Sequence, residues 1–574
     1  MADTYNEPAP RLISDAEMNL VADIQREFAQ MVLPRVNFES HWEEIAALID
    51  PMSVGTFNSN NYVNAGEKKT DKQVDASGMM ANSRFAAICD SLLTPRNMMW
   101  HGLAANDDYV MKDRDSRLWF EAVTKLLFKY RYNPLANFSS QNQSIYRNLG
   151  AYGTGAMFID ALDMSLGHGK GLRYKSLPMG QIYLRENHQG LIDGFFRVLK
   201  LTAYQAYQKW PDTFPDVLRA ALKNGSQNLY MFVQRVCPRT GYDKERLDYK
   251  GKPYASTYIS VEGKCVVQEG GYNSLPLAGT RYEQAAGEVY GRSPAMMVLP
   301  ALKTLNAEKR VFLTQGHRAG SPVLLTSDDG IMDFSMRPGA MNKGGVTSDG
   351  KPLVHALPTG DIQITKEMMQ EEKVLINDAF LVTLFQILTE TPQMSATEVI
   401  ERTNEKGILL APTVGRQQSE YLGPMIDREL DVLAELRLLP PMPGRLKEAQ
   451  GEYQTVYTSP MSRAMRAQEA AGFMRTLEVA NQVVSATGDP SYYDPFNFEV
   501  ALPEIADING VQFSWMSSPE QMADKKQKRA QAQARAEKVQ AMPAEAAMMK
   551  AQAVAAKANP GQPGQGAPAA PLQQ

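Results

Sequence analysis

The chain has 574 residues, 44% hydrophobic and 22% charged, with 60 Lys and Arg against 64 Asp and Glu. That length exceeds what one hydrophobic core usually spans, so two or more domains are expected. A net charge of −4 excludes a protein that coats nucleic acid with a wholly basic face. Cys89, Cys237 and Cys265 contain no CxxC pair and make no complete disulfide framework, which points to a reducing compartment. The first residues carry no signal-peptide pattern, and the most apolar run, 379–388, is shorter than the roughly 20 residues a bilayer span needs, so no membrane segment is expected.

The N-terminal part has helical spacing. Ser14-Asp-Ala-Glu17 has the form of a capping box, and Leu20, Ile24, Phe28 and Met31 follow on one stripe. A second helical pattern from Trp42 to Ile49 stops at Asp50-Pro51. Further helices are predicted over 75–93, 114–130 and 138–149. From Gly153 the period changes. Strands are predicted over 156–160 and 172–177, around the turn Gly167-His-Gly-Lys-Gly171, and over 181–184, 194–200, 230–236, 254–261 and 265–269. Helices at 203–210 and 216–223 interrupt them, giving a mixed α+β region up to about Tyr290.

A long helix is expected over 292–315, with Pro294 suited to its first turn and Pro300 marking a kink or a false start. Val298, Leu302, Leu305 and Phe312 lie on one stripe, with Lys303, Glu308 and Arg310 off it. Residues 316–361 are rich in Gly, Pro and Asp, too long for an idle connection, and predict a small subdomain. A second helix is expected over 365–389, charged in its first half and apolar in its last. The segment 390–394 breaks it, and Ser395-Ala-Thr-Glu398 starts another. Helices continue over 416–438 and 463–486. Residues 519–558 form an Ala-rich helical tail, and 559–574 are low in complexity and expected to be disordered.

No catalytic pattern stands out. There is no GxxxxGK[ST] loop, and the Gly167–Gly171 segment is explained by a hairpin turn. Gly291-Arg-Ser-Pro-Ala295 is similar to a nucleophile elbow but lacks the second Gly, and a helix start explains Ser293-Pro294 better. The six histidines stand singly, outside any metal-ligand spacing, and the pairs Asp107-Asp108 and Asp328-Asp329 are the sort usually found solvated on turns. The expectation is a non-enzyme with no cofactor and no metal. A nuclease or hydrolase built from scattered carboxylates is the rival reading, and a metal-dependent activity assay separates the two.

Several segments, in order, carry a resemblance: Asp75-Ala-Ser-Gly-Met-Met80, Leu93-Thr-Pro95, Tyr152-Gly-Thr-Gly155, Tyr290-Gly-Arg-Ser-Pro294, Arg337-Pro-Gly-Ala-Met-Asn342, Met394-Ser-Ala-Thr-Glu-Val399 and Leu438-Leu-Pro-Pro441. Together they resemble the portal, or head-to-tail connector, proteins of T7-like short-tailed bacteriophages, with the likeness thinning after about Pro503. The resemblance implies an α+β, mainly helical portal-type fold. Its parts are a wing (1–290), a first stem helix (291–316), a clip (317–362), a second stem helix (363–389), a channel loop (390–395), returning wing helices (396–503), crown helices (504–558) and a disordered tail (559–574).

It further implies a homo-oligomeric ring, usually a dodecamer, at one vertex of the capsid. Double-stranded DNA passes through it during packaging and ejection. The implied partners are the terminase motor, the tail adaptor, and the major capsid and scaffolding proteins, with assembly in the host bacterial cytoplasm and no membrane. Glu390, Thr391 and Gln393 then fall in the channel loop, and Glu367, Glu371 and Glu372 on a channel-lining helix, where carboxylates would keep phosphates from sticking. Lys525, Lys526, Lys528 and Arg529 become crown contacts to DNA, although a solvated helix with lysines for solubility accounts for the same charge. A capsid-associated scaffold or internal protein without a channel is the alternative. It explains the lack of chemistry but not the helix–subdomain–helix centre.

Overall fold

The computed structural model describes residues 13–57, 66–162, 169–243, 245–326, 335, 337–358, 362–383, 412–449, 451–458, 460–508, 511, 515–517 and 519–557. The chain begins with helices α1 (Asp15–Val32) and α2 (Val36–Ile49) and continues with α3 (Ser77–Leu93), strand β1 (His101–Ala105), α4 (Asp108–Lys112), α5 (Arg114–Arg131) and α6 (Phe138–Tyr152). Ser14 caps α1, its Oγ accepting from the Glu17 N–H at 3.2 Å. The Glu17 carboxylate reaches across to accept from the Val266 N–H at 2.8 Å, so the expected box residue also ties α1 to a sheet. Asp107 is the N-cap of α4, accepting from Tyr109 at 2.8 Å, which accounts for that acidic pair as turn chemistry.

The β region follows: β2 (Thr154–Ala161), β3 (Leu172–Ser176), β4 (Ile182–Glu186), β5 (Ile192–Thr202), α7 (Ala203–Lys209), α8 (Arg219–Lys223), β6 (Leu229–Pro238), β7 (Tyr254–Ser260), β8 (Cys265–Tyr272) and β9 (Leu277–Arg281). Strands β4 to β8 form a five-stranded antiparallel meander, and β3-β2-β9 a separate three-stranded sheet. The meander is covered on both faces, so the middle of β5, Gly194–Val198, is buried at every position rather than alternating. On one face Val21 and Ile24 of α1 pack on Tyr183, Phe196, Val233 and Ile259. On the other, Ala203, Ala206 and Trp210 pack on Phe232, Tyr258 and Val267.

After Tyr290 come α9 (Pro294–Met297) and α10 (Leu299–Gly320), separated at Val298, so Pro300 marks a false start. The chain then forms a hairpin of β10 (Leu324–Thr326) and β11 (Val354–Ala356) and returns along α11 (Ile362–Ala379). The helix predicted to run to 389 closes ten residues sooner. Leu381 adopts φ 59°, its N–H bonded to Asp378 O at 2.9 Å, and Phe380 and Val382 turn into the core. Burial of Phe380 beside the left-handed Leu381 interrupts the helix at 380–381, and Val382 and Thr383 are helical again.

The chain is next described from residue 412. It passes through a π-helical stretch, Gln417–Leu422, into α12 (Gly423–Glu435), then α13 (Gly444–Glu448), β12 (Tyr453–Tyr457), α14 (Pro460–Thr487), α15 (Phe498–Ile508) and α16 (Pro519–Lys557). Strands β1, β9, β11 and β12 escaped prediction. Strand β12 pairs antiparallel with β1, from His101↔Tyr457 to Ala105↔Tyr453, and so stitches the segment after the α10–α11 arm onto the N-terminal helices. Buried ion pairs bind the same two halves. Arg131 donates through Nε to Glu429 Oε1 at 3.0 Å, and the Tyr174 hydroxyl donates to the same oxygen at 2.7 Å. Arg281 grips Glu420 through Nε at 2.9 Å and Nη2 at 3.0 Å.

Candidate functional site

Two of the segments singled out in the sequence meet in space. Gly153 ends α6 with φ 70°, and the backbone of Gly291 passes so close that a Cβ on either residue would lie 2.3 Å from the other's strand, at Gly291 O or Gly153 O. Only glycine permits that approach. The Gly291 N–H donates to Thr154 Oγ1 at 2.9 Å, and the Tyr282 N–H to Gly153 O at 2.9 Å. Ser293 is fully buried: its Oγ donates to Ala151 O at 2.8 Å and accepts from the Met296 N–H at 3.0 Å. The Ser-Pro pair is therefore a helix N-cap, as its sequence suggests. Tyr290 and Tyr152 both pack on Trp42, with ring centroids 5.3 Å and 6.3 Å away. This junction is the socket from which the first long helix starts.

From that socket α10 and α11 leave as an antiparallel pair with the β10–β11 hairpin beyond them. Leu299, Ala301, Leu302 and Leu305 bury the base of α10, whereas residues 316–320 are exposed. Gly78 of α3 lets Leu302 in, since a Cβ there would lie 2.6 Å from its Cδ2. Asn306 fastens the base to the 72–75 segment, accepting from the Val74 N–H at 2.8 Å and donating to Lys72 O at 3.0 Å. Further out, Thr365 Oγ1 donates to Gln315 Oε1 at 3.2 Å. At the far end Asn342 brackets Ser335, accepting from its N–H at 2.9 Å and donating to its carbonyl at 3.0 Å. Gly339 there takes φ 79°, so the Arg337–Asn342 motif is a turn fixed by its glycine and its asparagine.

Between the helices Glu308 and Glu372 face each other. Desolvation and then the Glu372 charge push the Glu308 carboxyl above its usual range, and each side chain has one oxygen with no hydrogen-bond partner among the described residues. Glu367 and Glu371 are exposed on α11. Among the described residues no group of three or more His, Cys, Asp or Glu side chains is placed to hold a metal ion, and no helix is long and apolar enough to cross a membrane. His101 is buried against Arg131, and burial followed by the Arg131 charge holds its ring neutral.

The profile of the bacteriophage head to tail connecting protein family matches residues 21–516. The chain belongs to that family. Within this connector family it is similar to the "Portal protein" of Salmonella phage epsilon15, 28% identical over 532 residues, covering 90% of this chain and 92% of the relative. It is also similar to the "Probable portal protein" of Bordetella phage BPP-1, 25% identical over 511 residues, covering 84% and 86%. A solved structure titled "Virion of native gene transfer agent (GTA) particle" aligns over 70% of this chain and 85% of that one, at 12% identity and a TM-score of 0.32. A score that low carries no argument about fold.

The connector's sequence-predicted residues fall in separate places. Glu367, Glu371 and Glu372 share α11, while Glu390, Thr391 and Gln393 lie outside the described residues, as does Met394–Val399. Lys525, Lys526, Lys528 and Arg529 are exposed on α16. Two of those four already have partners: Lys525 Nζ donates to Ser517 Oγ at 2.8 Å, and Lys526 pairs with Glu499 of α15. Sequence reading placed Glu308 off the apolar stripe. Its i+3/i+4 spacing from buried Leu305 and partly buried Phe312 places it at the stripe's margin, but the partner across the pair is 64 residues away and leaves no local signal.

Proposed function

We propose that the chain is the portal of a phage head, the head-to-tail connector through which the genome is packaged and ejected, joined to the capsid on one side and the tail on the other. The observation that carries this reading is the family match over residues 21–516, with portal proteins similar across most of the chain. In this proposal residues 1–290 and 396–503 form the wing of a subunit, and 291–316 and 363–379 supply the stem helices. Residues 317–362 are the clip that docks the terminase motor and later the tail adaptor. The segment 390–395 is a channel loop, and 504–558 is the crown.

A closed ring of identical subunits, dodecameric by analogy, follows from the same reading. Val311, Leu313, Ile364, Met368 and Leu375 support it. They stay exposed on the two arm helices, and apolar side chains along a projecting arm call for cover from a neighbouring copy. The role is structural: a conduit for double-stranded DNA in the virion, assembled in the host cytoplasm with scaffolding and capsid proteins. ATP is hydrolysed by the separate motor, and Glu367, Glu371 and Glu390 repel phosphates along the passage.

Native mass measurement with negative-stain imaging of the purified protein tests the proposal. Rings with a central hole and a mass near twelve subunits are expected. A protein that stays monomeric at high concentration, even when co-expressed with its scaffold, would refute it.

A further inference from the structure

The two sheets and α7 meet at a cluster of cations with little opposing charge. In the β2–β3 register Phe158 stands directly opposite Lys175, so their side chains share one face. The Arg197 guanidinium lies 5.3 Å over the Phe158 ring, bringing the middle of β5 against that pair. Arg197 is itself cross-strand to Gln234, and Gln234 to Tyr258, forming one row across the meander. Lys209, at the end of α7, closes the row with its Nζ 4.5 Å over Tyr258 and 4.6 Å over Trp210. Three cationic side chains from β3, β5 and α7 thus converge on one junction.

Arg197 is 7% exposed, and its buried Nε–H has no acceptor among the described residues. Leaving a buried guanidinium N–H without an acceptor is costly, and proteins ordinarily pair a buried Arg with a carboxylate. The nearby carboxylate is Asp160, and Arg428 already holds it, Nη2 to Oδ1 at 3.6 Å. The cations feel one another: burial and then the Arg197 charge lower the Lys209 ammonium to about 8, with Lys175 adding to the effect and Asp160 only partly opposing it. Lys175 is lowered by burial and by Arg197 in the same way.

We propose that Lys175, Arg197 and Lys209 form a binding site for a phosphate-class oxyanion at the junction of the two sheets and α7. A planar carboxylate offers two oxygens, enough for one guanidinium. A tetrahedral phosphate presents oxygens in several directions and carries up to two negative charges, so it can meet a guanidinium fork and two ammonium groups together. The site lies in the 1–290 part of the chain, away from the arm, and does not depend on the portal reading.

Melting the full-length protein at neutral pH in chloride, acetate and phosphate at one ionic strength tests the site. Phosphate should raise the wild-type Tm by about 2 °C or more over chloride, while acetate should not. Lys209→Gln and Arg197→Met should each abolish that increment. In chloride, Arg197→Met should melt no lower than wild type, because it removes a buried charge that has no carboxylate partner while keeping an apolar stem against Phe158. No phosphate increment in wild type, an equal increment from acetate, or an increment kept by both variants would overturn the proposal. A short DNA duplex identifies the source of the phosphate. Competition that both variants weaken assigns the site to the nucleic-acid backbone, and no competition assigns it to the free ion; each result sustains the site.

Discussion

The meeting of Gly153 and Gly291 sets up a test with internal controls. Alanine at 153 must hold φ 70°, which costs an L-residue about 1–2 kcal/mol. It must also displace the Gly291 carbonyl from 2.3 Å, and overpacking of that kind costs about 1–3 kcal/mol. Gly153→Ala should therefore lose about 2–5 kcal/mol. Gly287→Ala isolates the first cost, since Gly287 has φ 79° with nothing within 4 Å of the added Cβ. Gly291→Ala isolates the second, because its Cβ would meet Gly153 O at 2.3 Å without a positive φ. Guanidinium titrations at one protein concentration, followed by tryptophan fluorescence, read the losses, and Trp42 beside Tyr152 and Tyr290 reports on the junction directly. If Gly153→Ala is no worse than Gly287→Ala, or Gly291→Ala unfolds like wild type, the socket is not built as described.

Glu429→Ala leaves the fully buried Arg131 uncompensated and should cost about 3–5 kcal/mol in denaturant titration, whereas Arg131→Met with Glu429→Leu should recover most of that loss. Ser293→Ala removes the cap of α9 and the bond to Ala151 O and should cost about 1–2 kcal/mol by the same assay. Because the Glu308 carboxyl is raised above 4.5, its contribution is fully present below that value and is lost as pH rises through the folded pKa. Hydrogen-exchange protection factors in α10 and α11, corrected for the intrinsic pH dependence of amide exchange, should thus rise as pH falls through the folded Glu308 pKa, and Glu308→Gln should flatten that dependence; an unchanged profile in the variant would assign it elsewhere.

Local patterns carried much of this fold into view. The stripe of Leu20, Ile24, Phe28 and Met31 gave α1 its buried face, and Ser293-Pro294 marked a helix start because capping is decided within four residues. The strands of the meander were legible from β-rich runs between turn residues. Strand β9 was not: Leu277-Ala-Gly-Thr-Arg281 is buried at every position, so it has no alternation to detect. In β12, Tyr453, Thr455 and Tyr457 do recur at period two, a signal hidden by its shortness. The close of α11 at Ala379 lay beyond pattern reading, since the core that takes Phe380 and Val382 is assembled from distant segments. The Arg131–Glu429 pair spans 298 residues, and the cations at Lys175, Arg197 and Lys209 come from three elements. Such constellations become visible only once topology brings them together.

The β1–β12 pairing also governs when the protein can be finished. Thr458 donates to Met99 O across 359 residues of chain, so the edge of β1 waits until both sheets, the whole arm and α12 have been synthesised. At bacterial elongation rates of about 5–20 residues per second, that delay is roughly 20–70 s. During it the N-terminal helices carry an open strand edge, Arg131 and Arg281 have no carboxylate from the later segment, and each nascent chain is a template for its neighbours on the same message. A ribosome that stops within the arm therefore releases a sticky fragment rather than a small stable domain. Within the same body, the arm is an insertion whose length can change without altering which strand closes the edge.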